Sequence, residues 1–416
     1  MVIDERTVSQ RDGDTAAHGA VVSVVPVDEP EVVRGPRRVE RALPFSIAVP
    51  AIVLTYWTID IISPALPDIK DDLALSAAGT GLVFSILFFG RLIANLPAAF
   101  LVDRIGAAIT ASAGGVVLVA GSVGAAVAPD ESYLYPARVL QGIGISLLVT
   151  AALRSVLRAK PGQGAAMTYF GFAATLGGIF GLQSGGYLTE TFSWRAIFVL
   201  SIAIAVVLTA ATFAARGAGA LGPIEASTTS SIDDAADPAV ATQGSIATAL
   251  IFNFCVFFNY SIWASLPLYT ERRFNASAEA NANLLLVITV MHLIAAFPAG
   301  RAIRKWGGRR ILVAGLLVAI VGTLLVLPAP GMVWLSLPLA LYGIGMVAAA
   351  NAGGDVVLQR GGLSGRAIGM VRLSSDLGLV LGPYLTGALT DGTKQSGSTT
   401  IGPGWSSKVP IKKPLV

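Results

Sequence analysis

Charge is scarce in this chain. Asp, Glu, Lys and Arg make up 13% of its 416 residues, against 54% apolar residues, and the mean hydropathy is +0.71. A soluble domain carries about 25% charged residues, so a water-soluble fold is excluded. Cysteine is nearly absent: Cys255 stands alone in an apolar run, which excludes an internal disulfide. No cluster of metal-ligating side chains and no catalytic triad is visible, so neither a metal, a cofactor nor an enzymatic activity is expected. The absence of a Walker lysine motif argues against ATP-driven transport. Gly217-Ala-Gly219-Ala-Leu-Gly222 fits the G-x-G-x-x-G pattern, but it follows no strand and opens no helix, so nucleotide binding is rejected. Residues 1–40 lack an apolar run and hence a signal peptide, so the first spanning helix is expected to direct insertion. The net charge of +4 does not imply nucleic acid, because the basic residues sit between apolar runs.

What the chain does have is eleven such runs, at about 44–66, 78–101, 107–128, 133–157, 164–189, 194–215, 247–270, 280–303, 309–328, 332–358 and 366–390. Each is about 20 residues or longer, enough to cross about 30 Å of hydrocarbon at about 1.5 Å per residue. The pattern predicts an all-α membrane protein. Its expected parts are a cytoplasmic tail at 1–43, a six-helix bundle at 44–215, a cytoplasmic linker at 216–246, a second bundle at 247–391 and a polar tail at 392–416. Arg34, Arg37, Arg38 and Arg41 precede run 1, Arg104 follows run 2, and Arg158 and Lys160 follow run 4. Arg304, Lys305, Arg309 and Arg310 lie between runs 8 and 9, and Arg360 and Arg366 between runs 10 and 11. The opposite loops carry mainly Lys70, Arg195, Arg272 and Arg273. The positive-inside rule then makes the amino terminus cytoplasmic in a multi-pass protein of the cell inner (plasma) membrane.

The runs also repeat. Pro97 to Gly106 returns as Pro298 to Gly307, and a shift of 201 positions carries Arg104 onto Lys305, Gly142 and Gly144 onto Gly343 and Gly345, and Gly177 and Gly181 onto Gly378 and Gly382. Six helices precede the second copy, so the two copies are parallel repeats about an axis along the membrane normal, an arrangement of transporters. The shift predicts a twelfth helix near 395–416, but that stretch is polar with three prolines, so eleven spans are expected.

These residues resemble the major facilitator superfamily over about 44–391. Asp103, Arg104 and Gly106 match the family's Gly-x-x-x-Asp-Arg-x-Gly-x-Arg-Arg loop, with Ala99 for the first glycine and Ala107 and Ala108 near the basic pair. The second copy keeps Gly300, Lys305, Gly307, Arg309 and Arg310, with Arg304 in place of the acid. Arg138-Val-Leu-Gln141-Gly142-Ile-Gly144 is similar to the Arg-x-x-Gln-Gly-x-Gly motif of proton-coupled members. Gly177, Gly181, Gly185 and Gly186 resemble the antiporter motif, with Leu182 for its proline. Asp60-Ile-Ile-Ser-Pro64-Ala-Leu-Pro67 looks like the signature of bicyclomycin-resistance-type drug/proton antiporters, and Ser193-Trp-Arg-Ala-Ile-Phe198 is of the kind seen in drug antiporters.

The resemblance implies two six-helix repeats and proton-coupled efflux of a small organic, drug-like compound. Its partners would be the bilayer, a small-molecule substrate and protons, with no nucleic acid, and the chain would act as a monomer. Uptake of a metabolite is a second reading; a transport-inactive or sensor-like member lacking the twelfth helix is a third. Charges inside a membrane are costly and mark function. Asp60 and Arg138 lie at similar depth and are expected to pair, Asp60 as proton carrier, with His292 as a further titratable group. Arg91 and Asp376 are expected to bridge helices 2 and 11, with Arg372 competing for Asp376 and Asp355 pairing with Arg372 as an inner gate. Asp103, beside Arg104, is expected to meet the amino-terminal end of helix 11. Tyr56, Trp57, Gln141, Asn253, Asn259, Tyr260, Trp263, Tyr342 and Asn351 are expected to line the substrate cavity.

Overall fold

The computed structural model describes residues 40–41, 43–159, 163–217, 223–224, 243–361 and 365–397. Side chains at 40–42, 157–168, 215–249, 354–355, 357–369, 371–372 and 392–397 fall outside the described ones. The helices are α1 (Phe45–Asp60), α2 (Leu66–Asp72), α3 (Ala77–Ile105), α4 (Ala107–Ala126), α5 (Glu131–Ala159), α6 (Gln163–Thr191) and α7 (Arg195–Gly217). They continue with α8 (Gln243–Phe258), α9 (Ile262–Phe274), α10 (Ala278–Trp306), α11 (Gly308–Val326), α12 (Ser336–Gly361) and α13 (Gly365–Gly397).

Eleven spans result among the described residues. The first is α1 and α2 joined through a 3₁₀ turn at Ser63–Ala65, and the seventh is α8 and α9 joined through another at Asn259–Ser261. Runs 1 and 7 thus differ from the expected single helices. Pro64 and Pro67 lack the N–H a continuous helix needs, so the first span breaks where they begin. Among the described residues, nine segments are long and apolar enough to cross a membrane. The other two, α6 and α13, have the length, at 29 and 33 residues, but are rich in Gly, Ser and Thr. α13 also runs past the expected end of its bundle at residue 391. The expected tail and linker touch: Glu40–Arg41 (β1) and Pro223–Ile224 (β2) pair antiparallel, with Glu40 opposite Ile224.

The repeat is visible in the backbone. The 201-residue shift carries both ends of α3 onto both ends of α10. Ser76 caps α3 by accepting a hydrogen bond from Gly79 N, and Ser277 caps α10 by accepting one from Ala280 N. Each helix ends at a glycine, Gly106 (φ 90°, ψ 157°) and Gly307 (φ 86°, ψ 144°), in a region open only to glycine. One face of the molecule holds these two turns with Arg104, Arg301, Arg304, Lys305, Arg309 and Arg310, and is called the basic face below. The opposite, acidic face holds Asp68, Asp71, Asp72, Asp130, Glu131, Glu190, Glu271 and Glu279.

The two halves, α1–α7 and α8–α13, meet through α3 against α13 and α6 against α10. The Gly-rich character of α6 and α13 has its reason here: small residues let backbones approach, which in a bilayer replaces hydrophobic driving force. A methyl on Gly387 (α13) would lie 2.3 Å from Ala77 O, and one on Gly186 (α6) 2.6 Å from the Ala282 methyl. Both crossings lie toward the acidic face. Toward the basic face the approach loosens, for Gly171 of α6 has nothing within 4 Å of its added methyl and the neighbouring Phe172 is exposed. The halves are therefore closely packed toward the acidic face.

Candidate functional site between the repeats

Asp60 is the last residue of α1, where the first span breaks. Its side chain reaches α6, near α10: a methyl on Gly178 would lie 2.8 Å from Asp60 Oδ2 and 3.8 Å from Thr289 Cγ2. A side chain at 178 would have to displace that carboxylate. Across the interface stands an aromatic group. Tyr260 stacks on Phe257 with ring centroids 5.6 Å apart and lies 5.3 Å from Trp263, while His292 stacks on Trp263 at 6.1 Å. The Tyr260 hydroxyl is within electrostatic reach of Asp60 and of Tyr56. Tyr56 packs edge-on against Phe170 at 5.9 Å. Trp263 Nε1 and His292 Nε2 are buried with no hydrogen-bond partner among the described residues. Buried polar atoms normally have one.

The expected Asp60–Arg138 pair does not form. Arg138 is fully buried, and its Nε donates to Val83 O at 3.2 Å while Nη1 donates to Gln141 Oε1 at 2.6 Å. Gln141 Nε2 in turn donates to Ser122 Oγ at 2.9 Å. The cation thus ties α3, α4 and α5 together within one half. Depth along a helix fixes height and not azimuth; Arg138 and Asp60 share a height but face different neighbours. The same correction removes Gln141 from the cavity lining.

The bridge between α3 and α13 is present. Arg91 Nη2 lies 3.3 Å from Asp376 Oδ1, and the Asp376 side chain is 3% exposed. Asn95 Nδ2 donates to Asp376 Oδ2 at 2.6 Å, and Ser146 Oγ donates to Asn95 Oδ1 at 2.8 Å. Asn95 and Ser146 escaped sequence reasoning; the spacing of Asn95 one turn beyond Arg91 was the available signal. The side chains of Asp355 and Arg372 lie outside the described residues. Asp103 pairs with Arg154 Nη2 at 2.7 Å on α5, inside its own half. The amino-terminal turn of α13, its expected partner, has side chains outside the described residues. Arg104 lies over the Phe100 ring of its own helix at 5.7 Å.

Other expected cavity residues serve packing. Trp57 Nε1 donates to Ser184 Oγ at 2.9 Å and joins α1 to α6. Asn253 Nδ2 donates to Ser375 Oγ at 2.9 Å and joins α8 to α13. Tyr342 is fully buried and its hydroxyl donates to Asn259 O at 2.8 Å, bracing the break in span 7. Asn259 Nδ2 reaches Met346 Sδ at 3.6 Å. Asn351 is exposed. The Ser193–Phe198 motif is also structural: Arg195 Nη1 and Trp194 Nε1 both donate to Asp72, at 2.7 and 3.0 Å, binding α7 to α2.

Comparison with known proteins accords with this architecture. Residues 48–383 match the family model described as Major Facilitator Superfamily. The chain is 36% identical over 149 residues to the uncharacterized MFS-type transporter EfpA of Mycobacterium tuberculosis, which covers 35% of this chain and 28% of EfpA. It is 31% identical over 156 residues to MdtD of Salmonella typhi, named provisionally for multidrug resistance, covering 37% of this chain and 33% of MdtD. The matched stretch is thus about a third of each relative. Among solved structures, a bacterial homolog of the human lysosomal transporter Spinster, in an inward-facing and occupied conformation, superposes with TM-score 0.70 at 18% identity, covering 85% of this chain and 84% of that one. The same homolog in an unoccupied conformation gives TM-score 0.67 at 17% identity, covering 86% of each. With the family model spanning all but the ends of the helical region, the chain belongs to the major facilitator superfamily.

Proposed function

We propose that the chain is a secondary transporter that exports a small aromatic or amphiphilic compound in exchange for protons, by alternating access, as a monomer of the plasma membrane. The observation that carries this reading is Asp60: a carboxylate at a helix break between the halves, with no ion-pair or hydrogen-bond partner among the described residues. Such a charge cannot be sealed from water cheaply. A proton can neutralise it, or a bound substrate can compensate it, and mutually exclusive occupancy by the two is the logic of exchange. The aromatic group of Tyr56, Tyr260, Trp263 and His292 supplies flat, polarisable surface, and the unpartnered Trp263 Nε1 and His292 Nε2 supply polar handles. Arg138 then acts on the site by holding α3, α4 and α5 rigid rather than by touching Asp60. The basic face is assigned to the cytoplasm, following the positive-inside rule. MdtD is named for multidrug resistance, which supports drug-like compounds as the cargo.

The test is proton movement in proteoliposomes during exposure to a panel of aromatic amines and neutral aromatic compounds. Substrate-driven proton release is expected from the native chain and a loss of at least about tenfold, near 1.4 kcal/mol, from Asp60→Asn. Proton release that persists at native rate in Asp60→Asn overturns the assignment. Coupling only with inward substrate flux would select the uptake reading.

A further inference from the structure

We propose that Asp391 is a latch that holds the acidic face of the molecule shut. α3 begins at Ala77, and its first backbone N–H groups have no partner inside the helix. Ser76 Oγ takes the N–H of Gly79 at 2.9 Å, and Ser76 O takes that of Thr80 at 3.0 Å. The remaining two, on Ala77 and Ala78, donate to Asp391 Oδ1 at 3.1 Å and Oδ2 at 2.8 Å. Asp391 belongs to α13, in the other half of the molecule. A carboxylate therefore sits with both oxygens on the positive end of a 29-residue helix across the repeat interface. Gly387, one turn earlier, makes this possible, because its missing side chain lets α13 rest on the Ala77 carbonyl.

The chain contains an internal control. The shift of 201 carries Gly387-Ala-Leu-Thr-Asp391 onto Gly186-Tyr-Leu-Thr-Glu190, and Ala77 onto Ala278. Gly186 rests on α10 as Gly387 rests on α3: its added methyl would lie 3.0 Å from Ala278 O. Yet Glu190 is exposed and bonds to no N–H of α10 among the described residues. The interface is thus closed by packing at both corners and by charge at one. To open the acidic face, α13 must leave α3, and both hydrogen bonds break together.

The inference rests on the alternating-access reading, and a distance measurement tests it without needing transport. Spin labels on Val127→Cys and Leu327→Cys, in a Cys255→Ser background, report the separation of the halves at the acidic face in lipid nanodiscs. Asp391→Asn and Asp391→Ala should each increase the long-distance population roughly tenfold. Ala77→Pro deletes one donor at a helix position that tolerates proline, and should shift the same population in the same direction, by less. Glu190→Gln should leave it unchanged. An unchanged distribution in folded Asp391→Asn and Ala77→Pro overturns the latch, as does an equal response to Glu190→Gln. Native labels that show no second population while these variants do would support the latch; failure of proton release alone would count only against the exchange reading.

Discussion

The start of α3 and the start of α10 are one corner built twice, and they differ in what crosses them. Both open with a serine cap, and both carry a glycine of the opposite half on their first turn. At α3 the contact continues inward as charge: Asp391 on the helix end, then Arg91–Asp376 at mid-depth. At α10 the two equivalent positions are neutral, because the shift puts His292 where Arg91 stands and Thr175 where Asp376 stands. A duplicated unit has therefore diverged into a charged seam and an aromatic one. The difference teaches that pseudo-symmetry of backbone leaves the chemistry of the two seams free. Under the proposed exchange, one seam holds the halves and the other receives the substrate.

That contrast can be broken in graded steps. The largest effect is expected from Gly387→Leu, since a side chain there meets the Ala77 backbone, which cannot yield. Overpacking typically costs about 1–3 kcal/mol, and transport in proteoliposomes should fall to background. Gly186→Leu meets the Ala282 methyl at 2.6 Å, a slightly wider gap than the 2.3 Å at Gly387, and should retain more activity; equal losses would erase the distinction between the corners. Next comes Asp376→Asn, which leaves Arg91 half-buried without its counter-charge. Removing one partner of a buried pair costs about 3–5 kcal/mol, reduced here because the Arg91 side chain is 20% exposed. A fall in apparent Tm in detergent of several degrees is expected, whereas His292→Ala should lower it by a small fraction of that. If the histidine change proves the more damaging, the neutral seam is the structural one. The smallest effect belongs to Asp103→Asn, whose partner Arg154 is 41% exposed; surface pairs contribute little, so Tm should not move measurably.

Much of the fold was legible because hydropathy and repetition are both carried by many residues at once. The 201 shift places the ends of α10 once α3 is known, and the glycine turns confirm the register. The breaks in spans 1 and 7 were not foreseen as breaks, although Pro64 and Pro67 mark the first, because an apolar run does not register a local loss of hydrogen bonds. The site was legible in its residue types and less so in its pairings. Arg91 and Asp376 stand on helices whose packing partner the family resemblance supplied, and they do meet. Asp60 and Arg138 were matched by depth alone, and they do not. In sequence Asp391 marks only the end of a bundle, and its signal is the repeated Gly-x-Leu-Thr-acid pattern at 186–190 and 387–391.

The single-residue turns at Gly106 and Gly307 have a mechanical consequence. α3 ends one residue before α4 begins, and α10 one residue before α11, with each glycine in a conformation closed to other residues. Such a corner has no slack. Each hairpin is then a stiff lever about 29 residues long on its inner arm, and a displacement at one surface of the bilayer is geared directly to the other. The 3₁₀ turns within the first and seventh spans are where helical regularity is interrupted, the first of them beside the Asp60 carboxylate.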